Sequence, residues 1–297
     1  MAEEKKHGKY DTIIFEPGPV TRIIHDEPDI RNPLTGKFIL EFKDALQRLQ
    51  RDKEARVGVI LATGPVFCAG HNLGFVSTLQ EWKPSEPSVL WEEDWRAQMD
   101  FMRDNLYYPL WDCTIPLVVG VQGGAYTGGV EFTMMCDIVV AAEGTVFDYG
   151  TAHVTGIGNE NMLLYHLGWR RALEVYLTGW NFTAEDAERW GAVNKVVPQD
   201  QLETEVMRYA NLIARMPPEA PRLIKENLKF AMNQMGARNA IFFGTKTNIL
   251  GHLASVTPRE KEFYTIMKKQ GMRAGLEFRD KPFEELGYTR KPKPRTK

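Results

Sequence analysis

The chain has 297 residues, enough to bury a sizeable core as one large domain or one domain with an appendage. Apolar residues make up 43% and charged residues 26%, ordinary for a soluble globular protein, and a net charge of −2 offers no electrostatic footprint for nucleic acid. Three cysteines, Cys68, Cys113 and Cys136, sit in apolar surroundings without C-x-x-C spacing, which argues for reduced core residues and against a disulfide frame or a zinc site.

The amino-terminal MAEEKKHGKYD is charged and lacks the apolar centre of a secretory signal. No uninterrupted apolar stretch is long enough to span a bilayer, so the expectation is a cytoplasmic protein with neither membrane nor nucleic acid as partner. Short β-branched runs at Thr12–Phe15, Val57–Ala62, Leu117–Val121 and Ile138–Ala142 read as strands bounded by turn or loop residues. Between the first two, Phe38–Arg51 spaces Phe38, Leu40, Phe42, Ala45, Leu46 and Leu49 for an amphipathic helix. Such alternation predicts βαβ crossovers and a largely parallel core. In Leu90–Tyr108, Trp91, Trp95, Met99, Met102 and Leu106 recur at helical spacing, as a core-facing stripe does. From residue 169 helices dominate. Thr183 with Asp186 predicts a capping box opening Ala184–Trp190, which Gly191 stops. Thr257-Pro258 with Glu260 announces a helix through Lys269, ended by Gly271. The basic run Arg290, Lys291, Lys293, Arg295 and Lys297 reads as a solvated tail.

Two glycine-bearing junctions carry the chemistry. Strand Leu117–Val121 runs into QGGAYTGG, after which Val130–Cys136 is helical in pattern and Glu131 enters among Phe132, Met134 and Met135. A strand–loop–helix junction turns backbone N–H groups outward where the helix dipole favours negative charge. A phosphate loop is excluded because Gly129-Val130 stands where Lys and Ser or Thr are needed, and the G-x-G-x-x-G spacing of a dinucleotide site is absent. Strand Val57–Ala62 likewise leads into TGPVFCAGHNLGF, so two loops could each offer one N–H to the same oxygen as an oxyanion hole. An unpaired carboxylate at Glu131 would be costly to bury without a task.

FCAGHNL (67–73), GGAYTGGVEFTMMCDIVVAAE (123–143), LTGWNFTAEDAERWGAVNKVV (177–197) and QGMRAGLEFRDKPF (270–283) together resemble the enoyl-CoA hydratase, or crotonase, superfamily over roughly residues 10–285. The resemblance implies an α/β fold with a ClpP/crotonase-like ββα spiral core over 1–200. It implies a helical carboxy-terminal trimerisation or lid region over 201–297, and a homotrimer or homohexamer. It implies an acyl-CoA thioester as substrate, coenzyme A being part of the substrate, with no separate cofactor and no metal. The oxyanion donors fall on the backbone N–H groups of His71 and Gly128, while the backbone around Phe67, Cys68, Ala69 and Gly70 lies along CoA. Only the backbone of His71 is asked for, so its ring reads as a surface or packing group. Glu131 matches the acid/base glutamate, whose partial desolvation suits it to proton transfer near neutral pH.

The pattern departs from the family where a second glutamate is often found: Thr151 or Ala152 stands there, and neither is an acid. Glu160, in GIGNE, supplies another carboxylate in the position used by dienoyl-CoA isomerases, a branch of hydrolases and the chlorobenzoyl-CoA dehalogenases. His153 is either a proton switch or, more in keeping with its setting, a packed loop residue. Gly275 and Phe278 occupy the carboxy-terminal CoA-contact positions, with Arg279 and Lys281 nearby. The expected reaction is water addition to an enoyl-CoA through Glu131 with Glu160 as auxiliary. Hydrolysis or isomerisation on the same residues is the alternative, and a non-catalytic acyl-CoA- or RNA-binding relative is the reading from another class.

Overall fold

The computed structural model describes residues 9–71, 99–154, 161–254 and 257–291. Strands β1 (Ile13–Glu16), β2 (Val20–His25), β3 (Val57–Ala62), β4 (Leu117–Val121), β6 (Ile138–Ala142) and β9 (Lys195–Val197) form one six-stranded sheet in the order β1-β2-β3-β4-β6-β9. Only the β1–β2 pair is antiparallel; the rest run parallel, as crossover connections require. Three short strands, β5 (Gly124–Tyr126), β7 (Val146–Asp148) and β8 (Phe182–Thr183), form a second sheet. The glycine stretch after β4 is therefore part strand, where the sequence pattern reads as loop alone.

The near-continuous apolar character of β3, β4 and β6 has a simple cause: both faces of the sheet are covered. Ile60, Leu117, Val119 and Val121 face the larger core with helix Gly36–Arg51, and Val57, Val59, Leu61 and Val118 face helix Leu202–Ala214. The helical carboxy-terminal region thus begins as cover for the spiral core itself. Helix Gly36–Arg51 opens with the Thr35 hydroxyl accepting from the Phe38 N–H at 3.0 Å and buries Phe38, Ile39, Phe42, Ala45, Leu46 and Leu49. Leu40, assigned to that face from sequence, is exposed, because two residues from Phe38 is about 200° around the helix.

The Thr183–Asp186 capping box is formed at Ala184–Trp190, with Gly191 in the left-handed region. Thr257 caps Pro258–Gln270, and Met272–Glu284 follows. All three cysteines are free and buried. Among the described residues, no helix is long and apolar enough to cross a membrane. Helices Ala220–Gln234 and Ala237–Ala254 expose Leu223, Leu228, Phe230, Phe242 and Phe243, and Met235 between them is exposed as well.

Candidate active site

The two glycine loops are tied to one another. Cys68 bridges Ala125 on β5, with the Cys68 N–H donating to Gly124 O at 3.2 Å and the Tyr126 N–H to Cys68 O at 3.0 Å. Gly70 has a φ of 84°, and a Cβ there would run into the Tyr126 carbonyl and stand 3.5 Å from Gly128 N, so only glycine lets the loops meet. A short helix, Gly128–Met134, starts at this seam, with outward N–H groups in its first turn. Thr127, before it, holds a φ of 46°, unusual for a β-branched residue. Its N–H donates to Asp148 O at 2.7 Å, and its carbonyl accepts from Val130 and Glu131 N–H, which fixes that geometry.

Glu131, in the first turn of this helix, is fully buried. Tyr107, Tyr149 and His71 are among the side chains that meet its carboxylate. The Tyr107 hydroxyl donates to Oε2, the Tyr149 hydroxyl donates to Oε1 at 2.8 Å, and His71 Nε2 lies 3.4 Å from Oε2. The His71 ring, expected to serve a packing or surface role, instead faces the carboxylate. Its Nε2 also reaches over Gly128: a Cβ on that glycine would stand 2.7 Å from it. Gly128 is a glycine for the sake of the histidine ring.

The tyrosines escaped the sequence reading for different reasons. Met99, Met102 and Leu106 are buried as the helical stripe predicts, whereas Trp91 and Trp95 fall outside the described residues. Arg103–Tyr107 is a π-helical turn, whose extra residue brings Tyr107 inward beside Leu106 against the 3.6-residue period. Tyr149 follows β7 and is placed by the pairing of β7 with β5. Glu160, the second carboxylate of the sequence reading, lies outside the described residues. Thr151 and Ala152 sit in the 3₁₀ turn Gly150–His153.

Phe67 and Cys68 turn their side chains into the core, Phe67 stacking on Phe132 with ring centroids 5.8 Å apart, so at these two positions the backbone rather than the side chain faces outward. Burial pushes the Cys68 thiol up to about 12, with a partial offset from the Gly70 N–H, so it is no thiolate nucleophile. Among the described residues no cluster of three or more His, Cys, Asp or Glu could hold a metal ion.

His153 is packed, as its setting suggested. Its Nδ1 lies 3.3 Å from Asp280 Oδ1, its Nε2 2.8 Å from the Thr178 carbonyl, and its ring stacks on Phe283 at 3.7 Å. Asp280 also accepts from Arg279 at 2.6 Å and from Arg290. Burial alone would raise its carboxyl, but the bonds from His153 and the arginines hold it well below the usual range. Arg279 is thereby committed inside the molecule rather than offered to a ligand, and Gly275 packs against Met267, while Lys281 is exposed.

The spiral of a mostly parallel sheet, a small second sheet and covering helices defines a crotonase fold. A crystal structure of an enoyl-CoA hydratase from Mycobacterium smegmatis matches it with a TM-score of 0.84 over 92% of this chain and 94% of that one, at 23% identity. The model of the enoyl-CoA hydratase/isomerase family matches residues 16–285, and the chain belongs to that family. It is 29% identical over 267 residues to a Mycobacterium tuberculosis protein named as enoyl-CoA hydratase EchA13, covering 84% of this chain and 81% of the relative. It is 27% identical over 265 residues to 4-chlorobenzoyl coenzyme A dehalogenase-1 of an Arthrobacter species, covering 86% and 89%.

Proposed function

We propose that this chain is an acyl-CoA-processing lyase that adds water to an α,β-unsaturated acyl-CoA. In this reading the His71 and Gly128 N–H groups receive the thioester oxygen and stabilise the enolate. The observation that carries the reading is Glu131: a fully buried carboxylate at the seam of two glycine loops, with two phenols donating to it and a histidine ring beside it. A carboxylate so enclosed is suited to proton transfer and ill suited to structural ion pairing. The backbone of Phe67, Cys68, Ala69 and Gly70 is assigned to the CoA side of the cleft, and Glu160 to an auxiliary acid. Isomerisation is the second reading, favoured by the lack of an acid at Thr151 and Ala152: one acid/base centre can remove a proton and return it elsewhere. The exposed apolar residues of helices 220–234 and 237–254 support a homotrimer or a dimer of trimers, and three buried free thiols fit a reducing, cytoplasmic setting.

The test is incubation with enoyl-, dienoyl- and β-ketoacyl-CoA thioesters, read by mass spectrometry. Gain of one water from an enoyl-CoA, lost in Glu131→Gln, is expected. Unchanged mass with a moved double bond selects the isomerase. Release of free CoA from every thioester, or no reaction with any, would refute the lyase.

A further inference from the structure

Resting on the acyl-CoA reading above, we infer that Asp148 is a positioning residue for the reaction: its carboxylate fixes the backbone corner at Tyr149 and so aims that phenol at Glu131. Asp148 ends β7 and is buried. Its own backbone is anchored from the other side. Strand β7 pairs with β5 in the register Tyr126↔Asp148, and the Asp148 carbonyl accepts from the Thr127 N–H at 2.7 Å. The side chain then folds back along the chain, and Oδ1 accepts from the Gly150 N–H at 2.6 Å. A carboxylate bonded to the amide two residues on makes an Asx turn, which bends the chain at the residue between. That residue is Tyr149, held at φ −114° and ψ 20°, away from the extended strand before it.

The surroundings suit this bend. A Cβ on Gly150 would stand 2.9 Å from Asp148 Oδ1, 2.8 Å from the Tyr288 hydroxyl and 2.6 Å from the Arg279 guanidinium. The carboxylate thus reaches its amide over a residue that has no side chain. Asn181 Nδ2 lies 3.4 Å from Asp148 Oδ2 and steadies the second oxygen. Beyond the corner, the Ala152 N–H donates to the Tyr149 carbonyl at 3.2 Å within the turn Gly150–His153. Tyr176 meets the Tyr149 ring edge-on at 4.9 Å and limits its swing. The phenol hydroxyl, at the far end of the side chain, is 2.8 Å from Glu131 Oε1, so a small rotation of the corner carries it out of hydrogen-bond range. Asp148 is assigned no contact with the acyl group; it acts through Tyr149.

The experiment measures kcat and KM with the thioester that wild type turns over in the panel above, per folded molecule by circular dichroism. Asp148→Ala removes the bond to Gly150 and should lower kcat about tenfold, with KM within about twofold. Asp148→Asn keeps an acceptor for the same N–H and should recover kcat to within about threefold of wild type. In a Tyr149→Phe background, Asp148→Ala should cost no more than about threefold further, because the hydroxyl it aims is already gone. Should Asp148→Ala fail to fold, Asp148→Ser, with a shorter acceptor, takes its place, and its smaller loss should again vanish in Tyr149→Phe. Wild-type kcat in either variant, a fall in melting temperature alone, or the same loss with and without the Tyr149 hydroxyl would sink the inference. A loss that Asp148→Asn does not recover would also sink it, by making charge rather than the turn decisive. No turnover of any thioester by wild type fails the acyl-CoA reading and overturns the inference with it.

Discussion

Among the described residues, two histidines lie beside a buried carboxylate, at 3.4 Å for His71 and Glu131 and at 3.3 Å for His153 and Asp280. Residue types and spacing are nearly the same, yet the surroundings differ. Asp280 is enclosed by the guanidinium groups of Arg279 and Arg290, and His153 is sealed between Phe283 and Tyr288. Charge is matched and both ring nitrogens face fixed acceptors, so nothing remains to react. Glu131 accepts from two phenols, and the His71 side chain beside it is partly exposed. The two pairs meet along one short segment: Asp148, which accepts from Gly150 N–H at 2.6 Å, Tyr149, which serves Glu131, and His153. The His153–Asp280 pair, bonded to two arginines, fastens the carboxy-terminal helix to the segment that carries Tyr149, whereas the His71–Glu131 pair lies at the seam of the two glycine loops.

The sharpest break of this contrast is a pair of isosteric amides. Glu131→Gln should lower the chemical step by roughly 10²–10⁴ in steady-state assays while thermal unfolding barely moves. Asp280→Asn should do the reverse. It strands buried cations and should cost about 3–5 kcal/mol in denaturant unfolding, with kcat per folded molecule retained. Next come the phenols. Tyr107→Phe and Tyr149→Phe each remove one bond to a carboxylate, worth roughly 1.5–3 kcal/mol, so each should slow turnover about ten- to a hundredfold. A Tyr149→Phe enzyme at full speed would show that the cage only packs. The smallest effect is in pH. Asp280 is depressed in the folded chain, so its contribution is present above the unfolded value near 4 and is lost as pH falls through the folded value. The stability gap between wild type and Asp280→Asn should therefore close below about pH 4. Asp148, raised by burial against a partial offset from Arg279, works with the opposite sign. A gap that stayed constant into acid would mean that Asp280 is not the charged partner.

What the sequence made legible follows from the range of each interaction. Strands β3, β4 and β6 match their apolar runs residue for residue, because two-sided burial writes itself into composition. The capping box at Thr183 and the burial of Glu131 were equally readable, being set within a few residues. Strands β5, β7 and β8, of two or three residues, exist only because they pair with one another, and β2 hides Arg22 in its middle. The cage was invisible for the same reason. Tyr107 and Tyr149 lie 24 and 18 residues from Glu131 and reach it only through a π-turn and a strand pairing, which no local period encodes. The loop motif placed the backbone of His71 at the site, while its ring direction depended on Gly128 across the seam.

The most direct measurement of the central claim, that Glu131 and the phenols that hold it work as one unit, is a double-variant comparison in the steady-state assay. If Tyr149 acts only by holding Glu131, Tyr149→Phe combined with Glu131→Gln should be slower than Glu131→Gln alone by no more than about threefold, as for groups that function together. Losses that multiply across the two substitutions would show two independent contributions and contradict the account.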